Sequence, residues 1–229
     1  MKICGLQKVT LLDFPGHVAC TVFLGGCNFD CPFCYNSSLI RNDGLELLSK
    51  EELFDFLRRR KGILDGVAIT GGEPLLHKEI VDFIKEIREL GFKIKLDTNG
   101  SFPSVLKHLM DSNLVDYVAM DIKNALDKYE TTIDCKLNLS KIEESISLLI
   151  NGNVDYEFRT TVVKEFHDIA DFEKIGKLIK GAKRYYLQSY QYKDSVRCKD
   201  LSPMTKESLQ LCLNKVKDYV EYASLREID

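Results

Sequence analysis

Short apolar runs alternate with longer amphipathic stretches along the whole chain. Residues 18–24 predict a buried strand that ends at Gly25-Gly26. Ser49 and Glu52 have capping-box spacing, and the periodic stretch they open stops at Gly62, which predicts a helix. Residues 66–70 read as a second strand, feeding Gly71-Gly72-Glu73-Pro74 and a helix over about 77–90. A third strand over 93–96 ends in Asp97-Thr98-Asn99-Gly100 and leads to a helix over 103–111. The fourth strand, 117–120, ends in Asp121-Ile122-Lys123. A less regular stretch, 124–138, precedes a helix that Ser140 and Glu143 are expected to cap and Gly152 to stop. A strand over 156–163, a helix over 171–180, a strand over 184–188 and a helix over 205–222 complete the pattern.

Repeated βα units predict an α/β fold with a parallel sheet and right-handed crossovers. Six units either curl into a partial (β/α)6 barrel of the TIM type or form an open doubly wound sheet. Both architectures bind ligands at the carboxyl ends of the strands. The polar motifs fall there: cysteines after the first strand, GGEP after the second, DTNG after the third, Asp121 and Lys123 after the fourth, and Gln188 at the end of the sixth. No low-complexity linker interrupts the pattern, so residues 1–229 are expected to form a single domain.

Composition narrows the class. The chain is 45% hydrophobic and 29% charged with net charge −3, which argues against broad nucleic-acid affinity. The basic run Arg58-Arg59-Arg60-Lys61 suits the C-terminus of a helix. No stretch of eighteen apolar residues predicts a membrane span, and the N-terminus lacks a signal-peptide pattern. A cytoplasmic location is expected, where eight cysteines suit metal binding better than disulfides. Cys4, Cys20, Cys135, Cys198 and Cys212 are scattered and read as small buried or incidental thiols.

Cys27, Cys31 and Cys34 stand apart as Cys-x3-Cys-x2-Cys. Closed structural zinc sites and electron-transfer iron–sulfur clusters usually use four ligands, so three leave a coordination position for chemistry. Zinc with a remote fourth ligand is the alternative. Gly71-Gly72-Glu73-Pro74 reads either as a glycine- and proline-punctuated turn or as a backbone approach to a small polar ligand. Asp97-Thr98-Asn99-Gly100 contains an ordinary turn pair.

Together, the three cysteines, Phe33 before the third and the GGEP run after strand two closely resemble the radical S-adenosylmethionine (SAM) superfamily. The resemblance implies a partial (β/α)6 barrel and a [4Fe–4S] cluster on Cys27, Cys31 and Cys34, with SAM chelating the open iron. One electron from the cluster would cleave SAM to methionine and a 5′-deoxyadenosyl radical. Gly5–Gly16, the CPFCYN stretch, DTNG and DIK narrow the resemblance to activating enzymes of glycyl radical enzymes. The nearest subgroup is that of anaerobic ribonucleoside-triphosphate reductase, followed by the pyruvate formate-lyase activators.

By the same resemblance, Phe33 and Tyr35 would lie beside the adenosyl group, and Gly71, Gly72 and Glu73 at the methionine amino group. Lys123 would pair with the SAM carboxylate. Arg159 would face SAM or form an ion pair inside the barrel. Asp97, Thr98 and Asp121 would form an oxygen-rich pocket for a monovalent cation, with two loop caps as the plainer reading. Two positions depart from relatives: Tyr35 stands where many have His, and Gln191 where pyruvate formate-lyase activators have a SAM-contacting His. His17, His77, His108 and His167 match no catalytic position. The implied partners are a glycyl radical enzyme as protein substrate and a flavodoxin or ferredoxin-type electron donor. A radical SAM enzyme acting on a small molecule, and a non-catalytic metal module, are the competing readings.

Overall fold

The computed structural model describes residues 1–41 and 47–226. Its strands form one eight-stranded sheet in chain order: β1 (Ile3–Thr10), β2 (Ala19–Leu24), β3 (Gly66–Gly71), β4 (Lys93–Thr98), β5 (Tyr117–Asp121), β6 (Asp155–Val162), β7 (Tyr185–Ser189) and β8 (Ala223–Arg226). Strand β1 runs antiparallel to β2, and every later pairing is parallel. The sheet order runs from β1 to β8 without closing, so the barrel is partial and open. The helices are α1 (Ser37–Arg41), α2 (Lys50–Arg60), α3 (Ile80–Glu89), α4 (Pro103–Asp111), α5 (Tyr129–Ile133), α6 (Ser140–Asn151), α7 (Asp171–Leu178) and α8 (Lys206–Val216).

Period-two patterning in the strands decides which face meets the helices. Cys20, Val22, Val67, Ile69, Ile94, Leu96, Tyr156 and Phe158 belong to one core with Leu53, Ile84, Leu106, Ile146 and Ile175 of the helices. The alternate positions are small or charged: Ala19, Thr21, Gly66, Ala68, Lys95, Asp97, Glu157 and Arg159. They line the inside of the open barrel. At the end of the barrel where the parallel strands begin, the loop between β1 and β2 inserts Phe14, which joins Ala19, Tyr117 and Ala119 in a separate small cluster. A Cβ on Gly66 would stand 2.8 Å from the Phe14 ring, so the plug needs that glycine. Asp13, beside it, accepts a hydrogen bond from the Thr21 hydroxyl.

The six predicted βα strands correspond to β2–β7. The Ser49–Glu52 capping box forms: the Ser49 hydroxyl accepts from the Glu52 N–H, and Glu52 accepts from the Ser49 N–H. Ser140 does not cap α6; it lies inside the first turn, and the Asn138 side chain accepts from its N–H at 3.2 Å. The last helix stops at Val216 and is followed by a 3₁₀ turn over Lys217–Tyr219 and then β8, where the sequence pattern predicts helix to 222.

Strand β8 is tied in by charge. Arg226 donates to both oxygens of Glu157, at 2.7 and 2.9 Å, and stacks 3.8 Å over the Tyr186 ring. Tyr117 donates its hydroxyl to the same carboxylate at 2.8 Å. Burial pushes the Glu157 carboxyl up, but Arg226, Arg159 and Tyr117 outweigh it and hold the group below its ordinary value of 4.5. Folding therefore favours the ionised form. That contribution is present above about pH 4.5 and is lost as pH falls through the depressed value. Arg226→Met strands a buried carboxylate and should cost about 3 kcal/mol at neutral pH, the low end for a broken buried pair because Arg226 is partly exposed. Urea denaturation at pH 7 and pH 4 checks this: the deficit should shrink at the lower pH, and a variant within about 0.5 kcal/mol of wild type at pH 7 would contradict it.

Candidate active site

The polar motifs converge at the carboxyl end of the parallel strands on a cavity of about 270 Å³. Cys27, Cys31 and Cys34 all line it, as do Phe33 and Tyr35. Cys20 does not; it faces the helices, fully buried in β2. Among the described residues, no group of three or more His, Cys, Asp or Glu side chains is arranged to hold a single metal ion. Three thiols around one shared cavity fit instead a polynuclear iron–sulfur cluster, which takes one thiolate per iron. Burial pushes the Cys27 and Cys31 thiols up to about 11 and about 12, and raises Cys34 as well. A cluster held by these thiols would have to displace their protons.

The cysteine loop is held by its neighbours. The Gly72 N–H donates to Leu24 O and the Glu73 N–H to Gly26 O, each at 2.8 Å. A Cβ on Gly72 would come within 1.9 Å of the Gly26 carbonyl oxygen. The glycine of GGEP therefore makes room for the backbone of the cysteine loop, although Gly71 and Gly72 also line the cavity. Glu73 does not line it. Its carboxylate is wholly buried and accepts from Leu75 N–H at 3.0 Å, Thr98 hydroxyl at 2.8 Å and Asn99 N–H at 2.6 Å. Burial raises its carboxyl to about 7 against the opposing pull of these donors.

DTNG is more than a turn. The Asn99 amide donates to Asn28 Oδ1 at 3.0 Å and approaches Cys27 Sγ at 3.9 Å. The Asn28 amide in turn reaches the Ser101 hydroxyl at 2.9 Å. The stretch predicted as irregular forms the opposite wall. The Asp30 N–H donates to Ile133 O of α5 at 3.0 Å, and Cys135 Sγ donates to Asn28 O at 3.6 Å. Arg197 joins Asp30 to Asp134 across the same seam.

Below the thiols runs a chain of alternating charge. Lys95 pairs with Asp97; Arg159 bonds Asp97 at 3.3 Å and Asp121 at 3.0 Å; Lys123 bonds Asp121 at 2.9 Å. Burial pushes the Asp121 carboxyl up, but Lys123 and Arg159 lower it to about 2. Asp97 is lowered too, with burial outweighed by Arg159 and Lys95, while Lys123 and Arg159 are raised by these carboxylates despite burial. The expected oxygen-rich pocket is thus already supplied with the chain's own cations, and Thr98 turns its hydroxyl to Glu73.

Tyr35 stacks on Tyr190 with ring centroids 5.9 Å apart, and its hydroxyl accepts from Gln191 N–H at 2.7 Å. Gln191 acts there through its backbone and is not among the lining residues; Gln188, at the end of β7, is. Phe33 is buried against Phe166. Sequence reasoning missed Lys95, Asn28, Ser101 and α5. Lys95 was legible as a charge on the inner face of a strand; the others carry no local signal.

Residues 21–179 match the radical SAM superfamily. A protein of Methanocaldococcus jannaschii named as a glycyl-radical enzyme activating enzyme is 34% identical over 238 residues, covering 99% of this chain and 96% of that protein. A GTP 3',8-cyclase of Alkaliphilus oremlandii is 33% identical over 155 residues, covering 64% of this chain and 48% of the cyclase. Among solved structures, Streptococcus suis SuiB bound to S-adenosylmethionine shares the fold with a TM-score of 0.67 at 14% identity, covering 91% of this chain and 52% of SuiB. A partial βα barrel with three cysteines at its carboxyl end is the architecture of one class of enzyme, and this chain belongs to it: the radical SAM superfamily. It is a radical SAM enzyme, using a [4Fe–4S] cluster and SAM.

Glu73→Ala would leave two buried N–H groups and a hydroxyl without their acceptor, each costing about 1–3 kcal/mol if no water enters. The cluster-free variant should lose at least about 2 kcal/mol by denaturant unfolding. Unchanged stability with weakened SAM binding would instead put the carboxylate on the ligand.

Proposed function

We propose that this enzyme activates a glycyl radical enzyme by abstracting a hydrogen atom from a glycine of that partner, with anaerobic ribonucleoside-triphosphate reductase as the partner. A flavodoxin or ferredoxin-type protein is the electron donor and the cytoplasm the compartment; no helix among the described residues is long and apolar enough to cross a membrane. The observation that carries the reading is the likeness to the M. jannaschii activating enzyme over 99% of this chain, where the likeness to the GTP cyclase covers 64%. We take the chain as a single radical SAM domain.

Cys27, Cys31 and Cys34 would hold the cluster. When bound and reduced, it would supply the electron for reductive cleavage of SAM. The protein's part is to position and shield. Lys95, Lys123 and Arg159 face Asp97 and Asp121 with one positive charge in excess, which suits the SAM carboxylate. Lys123 makes that contact, with Arg159 holding Asp121 beneath it. Phe33 and Tyr35 flank the adenosyl group, and the Gly71–Gly72 backbone lies by the amino group. Asp97, Thr98 and Asp121 order this floor; Gln191 fixes the Tyr35 hydroxyl. The open barrel admits a loop of the partner, which closes the site.

Two tests follow. Lys123→Met should keep its iron and lose one to two decades in SAM affinity by equilibrium binding, the effect of deleting a charge-assisted contact worth about 1.5–3 kcal/mol. Unchanged affinity would remove Lys123 from the SAM site. For the partner, reconstituted enzyme, reductant and SAM are mixed anaerobically with the host's ribonucleotide reductase subunit carrying α-deuterated glycine. Deuterium in 5′-deoxyadenosine is expected, and with the unlabelled subunit a glycine-centred doublet in the electron paramagnetic resonance (EPR) spectrum, split by the α-hydrogen that remains. If no host glycyl radical enzyme gives either result, while a small metabolite donates the hydrogen, the activase reading falls to the small-molecule one.

A further inference from the structure

His167 lies in the loop between β6 and α7 and is 2% exposed, yet it takes no part in the cavity wall. Its ring is engaged at both nitrogens. Nε2 lies 2.9 Å from the backbone carbonyl oxygen of Lys123. Nδ1 lies 3.2 Å from the Val163 nitrogen and 3.1 Å from the Val163 oxygen. That oxygen already accepts from the Phe166 and His167 N–H groups, at 3.2 and 3.0 Å. A neutral imidazole has one donor nitrogen and one acceptor. One tautomer serves both ends: Nδ1 accepts from the Val163 N–H, and Nε2–H donates to Lys123 O. The other would set a second donor against the Val163 N–H and turn a lone pair toward the Lys123 carbonyl. Burial lowers the imidazole from its ordinary value, against the pull of the Lys123 and Val163 backbone, and so favours the neutral ring.

Lys123 stands just beyond the end of β5, outside any helix or strand. Its neighbours are fastened on both sides. The Ile122 N–H donates to Arg159 O at 2.8 Å, and Ile122 O accepts from the Thr160 hydroxyl at 2.6 Å. The Asn124 amide donates to Phe166 O at 2.8 Å. Between them, His167 takes the carbonyl of Lys123 itself. The Lys123 ammonium is held at the other end by Asp121, at 2.9 Å, and the residue lines the cavity of the three cysteines. With backbone and ammonium both fixed, the flexible four-carbon stem has little freedom left to lose when a ligand binds.

We propose that His167 is a positioning residue for SAM: its Nε2–H bond to Lys123 O sets the backbone from which Lys123 reaches the SAM carboxylate. The inference rests on the reading of Lys123 as that contact, and Lys123→Met reports on the contact separately. If Lys123→Met binds SAM as wild type does, the Lys123 assignment is what fails. If it weakens binding while loss of the His167 bond does not, this proposal fails alone.

The experiment is equilibrium SAM binding to anaerobically reconstituted protein, with iron content as the check on the cluster. His167→Phe occupies similar space without either nitrogen; it should keep its iron and lose about tenfold in SAM affinity, the effect of one hydrogen bond's preorganisation. His167→Gln, whose side-chain N–H reaches as far as Nε2, should bind SAM within about threefold of wild type. Added to Lys123→Met, His167→Phe should cost at most about twofold more, because the group it positions is gone. Wild-type affinity in iron-replete His167→Phe overturns the proposal. So does an equal loss with and without the Lys123 side chain, which would mark the ring as general support. Lys128 anchors the same loop independently, through Asp168 at 2.6 Å and Asp171 at 2.8 Å. Should His167→Phe still fail to take up iron, His167→Asn replaces it: its amide stands at Nδ1 and falls short of Lys123, so the same loss is expected and wild-type affinity is again fatal. In wild-type, cluster-free protein, nitrogen-15 NMR of labelled histidine should find the His167 proton on Nε2; a neutral ring protonated on Nδ1 also overturns the proposal.

Discussion

The site depends on one buried carboxylate. Glu73 takes three hydrogen bonds from Leu75, Thr98 and Asn99, and its own N–H fastens to Gly26 beside the first cysteine. Three strand ends, β2, β3 and β4, are thereby joined at a point where no water competes. Such satisfied buried networks stiffen what they connect. A thiol-bearing loop would otherwise have to be ordered by its cofactor, at the entropic cost of fixing each residue. Here the glycine at 72 lets two backbones touch, and the carboxylate behind it keeps them together.

The second constraint is the inner face of the sheet. In a closed βα barrel that space is filled by layers of branched apolar side chains. In this open one, Phe14 fills only the far end, and charge fills much of the rest. Lys95, Asp97, Arg159, Asp121 and Lys123 form a continuous series in which each carboxylate has two cationic neighbours. Asp97, Asp121, Lys123 and Arg159 hold one another in their charged forms, as the lowered carboxyls and the raised Lys123 and Arg159 show. Because removing one partner from a buried pair leaves an uncompensated charge, the series fixes side-chain directions more than it adds stability. Those directions set the floor of the cavity that Cys27, Cys31 and Cys34 line.

Much of this was legible in the chain. Period-two runs and the Ser49–Glu52 box located the parallel strands and α2, because local propensity and tertiary packing agree there. The placing of polar motifs at strand ends pointed to the cavity. Strand β1 was missed because its middle, Gly5 to Val9, is partly exposed and pairs antiparallel outside the βα rhythm. Strand β8 is only four residues long and depends on Arg226 finding Glu157, a contact 69 residues away in sequence. Ser140 failed as a cap because Asn138 competes for its N–H. Glu73 looked like a ligand group since sequence cannot tell a carboxylate aimed into a pocket from one buried behind it.

If Glu73 preorganises the site, the strand-end loops must be ordered before any cluster is present. Hydrogen–deuterium exchange on cluster-free protein measures this directly, through the amides of residues 72–76 and 98–101. Protection comparable to that of strands β3 and β4, unchanged when the cluster is reconstituted, is the predicted result. Rapid exchange in those two segments that slows only on cluster assembly would contradict the account, and would make the cofactor, not the carboxylate, the organiser of the site.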